Sequence, residues 1–205
     1  MFKRLLGLAV VAGLALGLAG CGFNTIPTKD EQVKAAFSEV QNQYKRRSDL
    51  IGNLVRTVEG AAIQERTTLV EVAEARARAT QVTVDASTIT DPEKFKQFQE
   101  AQGAMDRPLG RLMMISERYP QLQTNQNFLA LQSQLEGTEN RIAIARRDYN
   151  LAAQDYNTTL RTFPTVIWAK TMYSDQKPAV YFDASPADEA TPEVGFPSLS
   201  AAASK

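Results

Sequence analysis

The side chains that perform most protein catalysis are scarce in this chain. Its 205 residues include no histidine, the commonest catalytic base and metal ligand, and a single cysteine, Cys21, too few for a zinc site. Two carboxylate pairs have helical i, i+3 spacing, Glu71 with Glu74 and Glu136 with Glu139. Helical di-iron sites also require a Glu-x-x-His motif, so these pairs indicate solvated helix faces. We therefore predict no catalytic residue, no metal and no cofactor.

Charged residues interrupt an otherwise apolar stripe. In a heptad pattern over residues 33–72, Arg47 and Glu65 occupy positions whose other members are apolar or aromatic. Because charges in a helix seam are costly unless paired, we predict that these two form a buried pair that fixes helix register. A ligand or partner site is the alternative. Glu139 and Arg146 flank a second seam and predict interhelical bridges.

Arg47 lies in a long segment that the sequence predicts to be helical. Residues 29–87 contain no proline, and their apolar residues recur at helical spacing. Thr28 and Glu31 predict a capping box at the start. A continuous helix over residues 29–84 would be roughly 84 Å long, about twice the length of the segment 92–118 that follows. We therefore expect a break near Asp49 to Gly60, although a second copy covering the overhang, and thus a homo-oligomer, is an alternative.

Prolines and caps delimit the later helices. Asp91-Pro92 predicts a helix start, Pro108 predicts a kink in that helix, and Tyr119-Pro120 predicts its end. A third helix is expected from Thr124 or Asn125 until Pro164 stops it, and a short segment follows to Tyr173.

The pattern as a whole predicts an all-α fold, an antiparallel up-and-down bundle of three to four long helices with a short C-terminal helix. The bundle is expected over residues 28–177. Residues 178–205 are rich in proline, alanine, serine and acid without sustained periodicity, so they predict a largely disordered tail.

The N-terminus reads as a lipoprotein signal. Two cations precede an uncharged run from Leu5 to Leu18, which is shorter than the roughly 20 residues of a membrane-spanning helix. Leu18-Ala19-Gly20-Cys21 resembles the lipobox of bacterial lipoproteins. We predict removal of residues 1–20, acylation of Cys21, and a linker over residues 21–27. Gly22 favours the periplasmic face of the outer membrane if the host is Gram-negative.

Charge gives no reason to expect a nucleic-acid partner. Without the signal segment, 21 basic residues face 23 acidic ones, because Lys3 and Arg4 are lost. The predicted partners are the membrane, through the N-terminal lipid, and an unidentified envelope protein.

Motifs between Tyr44 and Pro164 resemble the LemA family. They include the run from Tyr44 to Val55, Ala75-Arg76, Glu117 to Pro120, and Leu131 to Ile142, with Glu65, Ala145-Arg146, Tyr149-Asn150, Tyr156-Asn157 and Phe163-Pro164. Gly52 stands where the family usually has proline. The resemblance implies an antiparallel helical bundle facing the cell exterior, and it implies no activity. Many members look anchored by an uncleaved N-terminal helix rather than by a lipobox.

These patterns favour a non-catalytic, membrane-anchored scaffold or accessory subunit of an envelope complex. A binding module for envelope fragments and a carboxylate-based hydrolase are the alternatives. The residues expected to form a partner-binding surface or a buried polar network are Arg46, Arg47, Asn53, Glu65, Arg76, Glu139, Asn140 and Arg146.

Replacing Cys21 tests the anchor. We expect Cys21→Ala to abolish labelling by a palmitate analogue, because the chain has no other cysteine to accept the lipid. Labelling equal to that of the wild-type chain would contradict a lipoprotein anchor.

Overall fold

The computed structural model describes residues 23–60, 63–85 and 87–183, and over these ranges the regular secondary structure is entirely helical. The predicted signal peptide, Cys21 and residues 184–205 lie outside the described residues. The described residues form seven α-helices, namely α1 (Thr25–Glu59), α2 (Arg66–Gln81), α3 (Pro92–Gly103), α4 (Asp106–Arg118), α5 (Pro120–Gln123), α6 (Gln126–Arg161) and α7 (Thr165–Thr171). Short 3-10 turns occupy Ile63–Glu65 and Thr88–Thr90. The predicted all-α bundle is confirmed.

The two longest helices, α1 and α6, pack along each other. They contain 35 and 36 residues, so each is about 50 Å long. Along the contact between the two helices, residue numbers rise in α1 and fall in α6, so the pair is antiparallel. The pairs that show this are Lys29 with Asp155 at 2.6 Å, Phe37 with Tyr149 at 5.5 Å between ring centroids, and Arg47 with Glu139 at 3.4 Å. None of the described helices is both long and apolar enough to cross a bilayer.

The predicted break in the first helical segment occurs at the Gly60 end of the expected interval. Helix α1 continues through Asp49 and Gly52 to Glu59, since Ile51 and Leu54 remain buried there. Gly60 and the Ile63–Glu65 turn then reverse the chain, and α2 packs back against α1.

The predicted start of α1 is wrong by one turn. The Asn24 carbonyl accepts hydrogen bonds from the backbone N–H of Thr28 at 3.1 Å and from its hydroxyl at 2.7 Å. Thr28 therefore donates inside the helix instead of capping it. Residues 25–27, assigned to the linker, are helical, because Ile26 is fully buried against the bundle.

The predicted boundaries of the later helices are largely confirmed. The Asp91 side chain caps α3 by accepting from the backbone of Glu93, and Asn125 caps α6 by accepting from Asn127 and Phe128. In place of a kink within one helix, Ala104 and Met105 interrupt it and separate α3 from α4, although both residues keep right-handed helical dihedral angles. Pro108 then lies in the first turn of α4, where a missing N–H removes no helical hydrogen bond.

An aromatic cluster fills the half of the bundle that contains α3. Phe95 lies 5.8 Å from Tyr149 and 4.7 Å from Phe182, measured between ring centroids. Phe37 of α1 contacts Phe95 at 6.1 Å, so rings from three helices and from the C-terminal segment meet. Aliphatic side chains, among them Leu54, form the core of the other half.

The segment 178–183, which we call the C-terminal strap, runs along α6 in extended form. Asn150 donates to the Phe182 carbonyl at 3.0 Å and accepts from its N–H at 2.9 Å. Asn157 makes the same pair of bonds to Ala179, both at 2.8 Å. The spacing fits because seven helical residues and three extended residues each advance about 10 Å.

The strap corrects the predicted start of the disordered tail. Residues 178–183 are packed, because the backbone groups of Ala179, Val180 and Phe182 are paired and both Ala179 and Phe182 are buried. Disorder of residues 184–205 stays a prediction.

Helix α2 crosses α1 where glycine leaves room for an arginine. The Arg76 Nε donates to the Ser48 carbonyl at 2.7 Å and to its hydroxyl at 3.1 Å. A Cβ at Gly52 would lie only 3.0 Å from the Arg76 Cζ. Gly52 therefore permits this crossing without itself breaking α1.

A matched pair of phenylalanines tests the strap. Phe182 is 4% exposed and Phe163 is 81% exposed. We expect Phe182→Ala to lower the free energy of unfolding by about 3–5 kcal/mol through lost burial and a cavity, and Phe163→Ala to change it by less than about 0.5 kcal/mol. Denaturant titration measures both, and equal effects would contradict a packed strap.

Two glycines test the crossing of α1 and α2. A Cβ at Gly110 in α4 would meet nothing within 4 Å, so Gly110→Ala should stabilise by about 1 kcal/mol through helix propensity. Gly52→Ala should fall short of that gain in the wild-type chain, because Arg76 must move, and reach it in an Arg76→Ala background. Thermal unfolding of the double-mutant cycle measures the difference. An equal gain in both backgrounds would show that Arg76 does not constrain Gly52.

Candidate functional site

A groove of about 940 Å³ opens between α3 and α4 on one side and α6 on the other. It exists because α4 packs against α2 while α6 packs against α1, so the facing sides of α4 and α6 remain apart. Apolar side chains line its walls, including Leu109, Met113, Leu135 and Ile142. The floor is formed by Tyr44 and Arg47 of α1.

Arg47 is the most buried charged group of the groove, at 4% exposure. Its Nη1 donates to Asp106 at 3.2 Å and approaches both Glu139 oxygens at 3.4 Å. Its Nη2 donates to the Gln102 carbonyl at 2.6 Å, and its guanidinium lies 5.2 Å from the Tyr44 ring centroid. The buried Nε has no hydrogen-bond partner among the described residues. One arginine thus joins α1, α3, α4 and α6.

The groove is mildly acidic. Its lining has five acidic side chains, Glu100, Asp106, Glu136, Glu139 and Asp183, against three basic ones, Arg47, Lys96 and Arg146. The Asp106 and Glu139 side chains are 69% and 43% exposed, so the acids face solvent while the arginine beneath them does not. Burial raises the pKa of Tyr44, and its hydroxyl therefore remains protonated at neutral pH.

Three of the predicted residues meet in this groove: Arg47, Glu139 and Arg146. The interhelical bridge expected of Glu139 is present, with Arg47 as its partner. Arg146 instead donates to the Asp183 carbonyl at 2.8 Å and lies 4.9 Å from the Phe182 ring centroid. It holds the end of the strap at the groove.

The predicted pair between Arg47 and Glu65 is wrong. Glu65 lies 3.7 Å from Arg118 of α4. The pairing required the chain to reverse midway between the two residues. The reversal begins at Gly60, which places Glu65 at the turn itself and Arg47 more than three helical turns away from it.

The other predicted residues are dispersed. Arg46 and Asn53 are exposed and line a shallow depression of about 380 Å³, and Asn53 also accepts from Arg56. Asn140 is exposed on α6. Arg76 of α2 donates a hydrogen bond to the Ser48 carbonyl of α1, where these two helices cross. These four residues do not join the groove.

Sequence reasoning missed Gln102 and Asp106, two residues that accept hydrogen bonds from Arg47. Gln102 falls on the apolar stripe with Phe98 and Met105, and a polar residue in such a stripe was the available signal. Its buried side-chain amide donates to the Ala79 carbonyl at 3.2 Å, while the backbone carbonyl of Gln102 accepts a hydrogen bond from Arg47. Asp106 lies four residues after Gln102 and therefore on the same helical face, but nothing in the sequence identifies Arg47 of α1 as its partner.

Chemically, the groove combines apolar walls with hydrogen-bond acceptors at its floor. Asp106 and Glu139 both accept from the same guanidinium. Among the described residues, no cluster of acidic or sulfur side chains is arranged to hold a metal ion. The arrangement suits recognition of a group that is apolar on one side and positively charged on another.

Comparison with known proteins places the chain in a family. The model of the LemA family matches residues 36–196. The chain is 28% identical over 198 residues to the magnetosome protein MamQ 2 of Paramagnetospirillum magneticum, covering 89% of this chain and 71% of that protein. It is 26% identical to MamQ of Magnetospirillum gryphiswaldense, covering 84% and 70% of the two chains.

A further relative carries the family name itself. The protein LemA of Metamycoplasma hominis is 25% identical over 142 residues, which cover 69% of this chain and 61% of that protein. Because the family match spans most of the chain and extends over all seven helices except the start of α1, this protein belongs to the LemA family.

Proposed function

We propose that this protein is a membrane-anchored, non-catalytic helical scaffold or accessory subunit of a bacterial envelope complex, and that the groove between α4 and α6 binds its partner. The observation that carries the proposal is the groove itself. Its volume of about 940 Å³ is filled neither by Trp168 nor by the buried tyrosines of the aromatic cluster. The anchor is the lipid on Cys21, and the envelope location follows from it.

The chemistry of the groove favours a particular kind of partner. Apolar walls bounded by acidic residues suit an amphipathic helix with lysine or arginine beside its apolar stripe. Such a helix would lie between α4 and α6 and complete the packing that these helices lack. Glu100 and Glu136 lie on α3 and α6, on either side of the groove, and would face its basic residues.

A binding module for envelope fragments is the second candidate. A groove of this volume falls in the range of small-molecule sites, and its polar groups are few and clustered, as such sites require. The carboxylates give less support to a hydrolase, because Asp106 and Glu139 are both engaged by Arg47 as hydrogen-bond acceptors.

Crosslinking from matched positions tests the proposal. Ala143 is exposed and lines the groove, whereas Leu151, also on α6, is exposed outside it. With p-benzoylphenylalanine in place of each residue in turn, we expect one discrete adduct in cells from position 143 and none from position 151.

A variant that reverses one charge of the groove provides the control. Glu136→Lys reverses a charge on its exposed wall and should abolish the adduct from position 143 while leaving the unfolding transition unchanged. Adducts of the same kind from both positions, or an adduct that persists in Glu136→Lys, would argue against the groove as the binding surface.

A further inference from the structure

Large apolar side chains are exposed together where α6 meets α7. Phe163 is 81% exposed, Ile167 51% and Met172 62%. Single exposed apolar residues are ordinary on protein surfaces, but a group of them on one corner marks a contact surface. We call these three residues the corner surface.

The corner surface lies beside the point where the described chain begins. The Phe23 ring is 5.8 Å from the ring of Trp168, and the Tyr173 hydroxyl donates to the Phe23 carbonyl at 3.2 Å. The antiparallel register of α1 and α6 places the start of α1 at the same end of the bundle as Phe163. Cys21 precedes Phe23 by two residues, which span at most about 7 Å.

We propose that the corner surface is a second membrane contact, which rests on and partly enters the lipid bilayer. The proposal builds on the membrane anchor proposed above, since an anchor within two residues of Phe23 brings the bilayer to this corner. It holds equally for a lipid on Cys21 and for a helical anchor. The occupant is the lipid surface, because the anchor brings lipid to this place whatever protein binds elsewhere.

The residues around the corner surface have the character of a membrane interface. Trp168 and Tyr173 carry amphipathic rings, which are favoured at the depth of lipid headgroups. Arg161 and Lys170, which are close to them in sequence, are exposed and offer positive charge to anionic headgroups, while Asp175 is an exposed acid of the same segment. A short helix with exposed Ile167 and Lys170 can place apolar atoms below the headgroups and its charge among them.

Such a contact would fix the orientation of the bundle. A lipid tether alone leaves the domain free to tilt, whereas a second contact at the same end holds α1 and α6 upright. Arg47 lies 24 residues beyond Phe23, so the groove would stand about 36 Å from the bilayer surface. The groove would then face partners in the aqueous compartment.

Trp168 reports directly on this contact because it is the only tryptophan of the chain. The acylated full-length protein would be reconstituted into vesicles of phosphatidylethanolamine and phosphatidylglycerol whose acyl chains carry bromine, a quencher of indole fluorescence. We expect quenching of Trp168 in the wild type and at least a threefold loss of that quenching in the triple variant Phe163→Ser, Ile167→Ser, Met172→Ser.

A second triple variant serves as the matched control. Met114, Ile144 and Leu151 are exposed to a similar degree on other parts of α4 and α6. Their replacement by serine should leave the quenching at its wild-type value. Circular dichroism and thermal unfolding of both variants would verify that the bundle remains folded, as expected for exposed positions.

The outcomes separate this proposal from the anchor. A palmitate-labelled protein that floats with the vesicles but shows no Trp168 quenching, or equal quenching in the two triple variants, overturns the corner surface alone. Quenching in a protein without the label overturns the lipid on Cys21 and supports the corner surface. A protein that neither floats nor is quenched overturns both.

Discussion

The antiparallel pairing of α1 with α6 is the constraint on which the remaining structure depends. Neither helix could remain ordered alone at about 50 Å, because helices in water draw most of their stability from packing of an apolar face. Their mutual register sets the level of every other element. It places Phe37 opposite Tyr149, where the aromatic cluster forms, and it places Arg47 opposite Glu139, where the groove forms. It also brings the start of α1 and the end of α6 to one end of the molecule.

The groove follows from the way the chain fills the rest of the bundle. After the turn at Gly60, α2 covers only part of α1, and the chain then returns as two separate helices, α3 and α4. At the interruption between them, Met105 is buried and Asp106 lies 3.2 Å from Arg47. Because α4 packs on α2, it does not close against α6. The bundle is therefore filled at its aromatic end and open along the side that contains Arg47.

Much of this fold could be predicted from local sequence patterns. Helix ends are set by local signals, namely Asp91 before Pro92, Asn125, and the proline after Phe163. Each of these acts on residues next to it in the sequence, so its effect does not depend on the rest of the fold. The periodicity of α1 also identified Arg47 as a buried charge. Such patterns define which face of a helix is buried, but they do not define the height at which two helices meet.

The wrong predictions concern features that depend on the register between helices or on contacts with residues distant in the sequence. The assumed pair of Arg47 with Glu65 failed because its geometry depended on where the chain reverses, and Asp49, Gly52 and Gly60 were all compatible with a reversal. The strap was missed for a related reason. Its own residues have no periodicity, and its order comes from Asn150 and Asn157, whose amides satisfy the backbone of a segment distant in sequence. Only the assembled helix shows that these amides match an extended chain.

The cost of Arg47 bears on the role of the groove. In the part of the chain that the structure describes, the buried Nε of Arg47 has no partner, and replacing a buried charge network by apolar side chains of similar size is often neutral or stabilising. Its partners Asp106 and Glu139 remain substantially exposed, so the network does not form a closed buried pair. If register were its sole purpose, partners buried with it would serve better. An arginine that anchors two exposed carboxylates at the floor of an open groove instead presents those carboxylates, in fixed positions, to whatever enters.

Arg146 extends the same arrangement to the strap, which runs back along α6 toward the corner surface. The groove and the proposed membrane contact are thus held by one helix, and a partner bound at one would be positioned relative to the bilayer at the other.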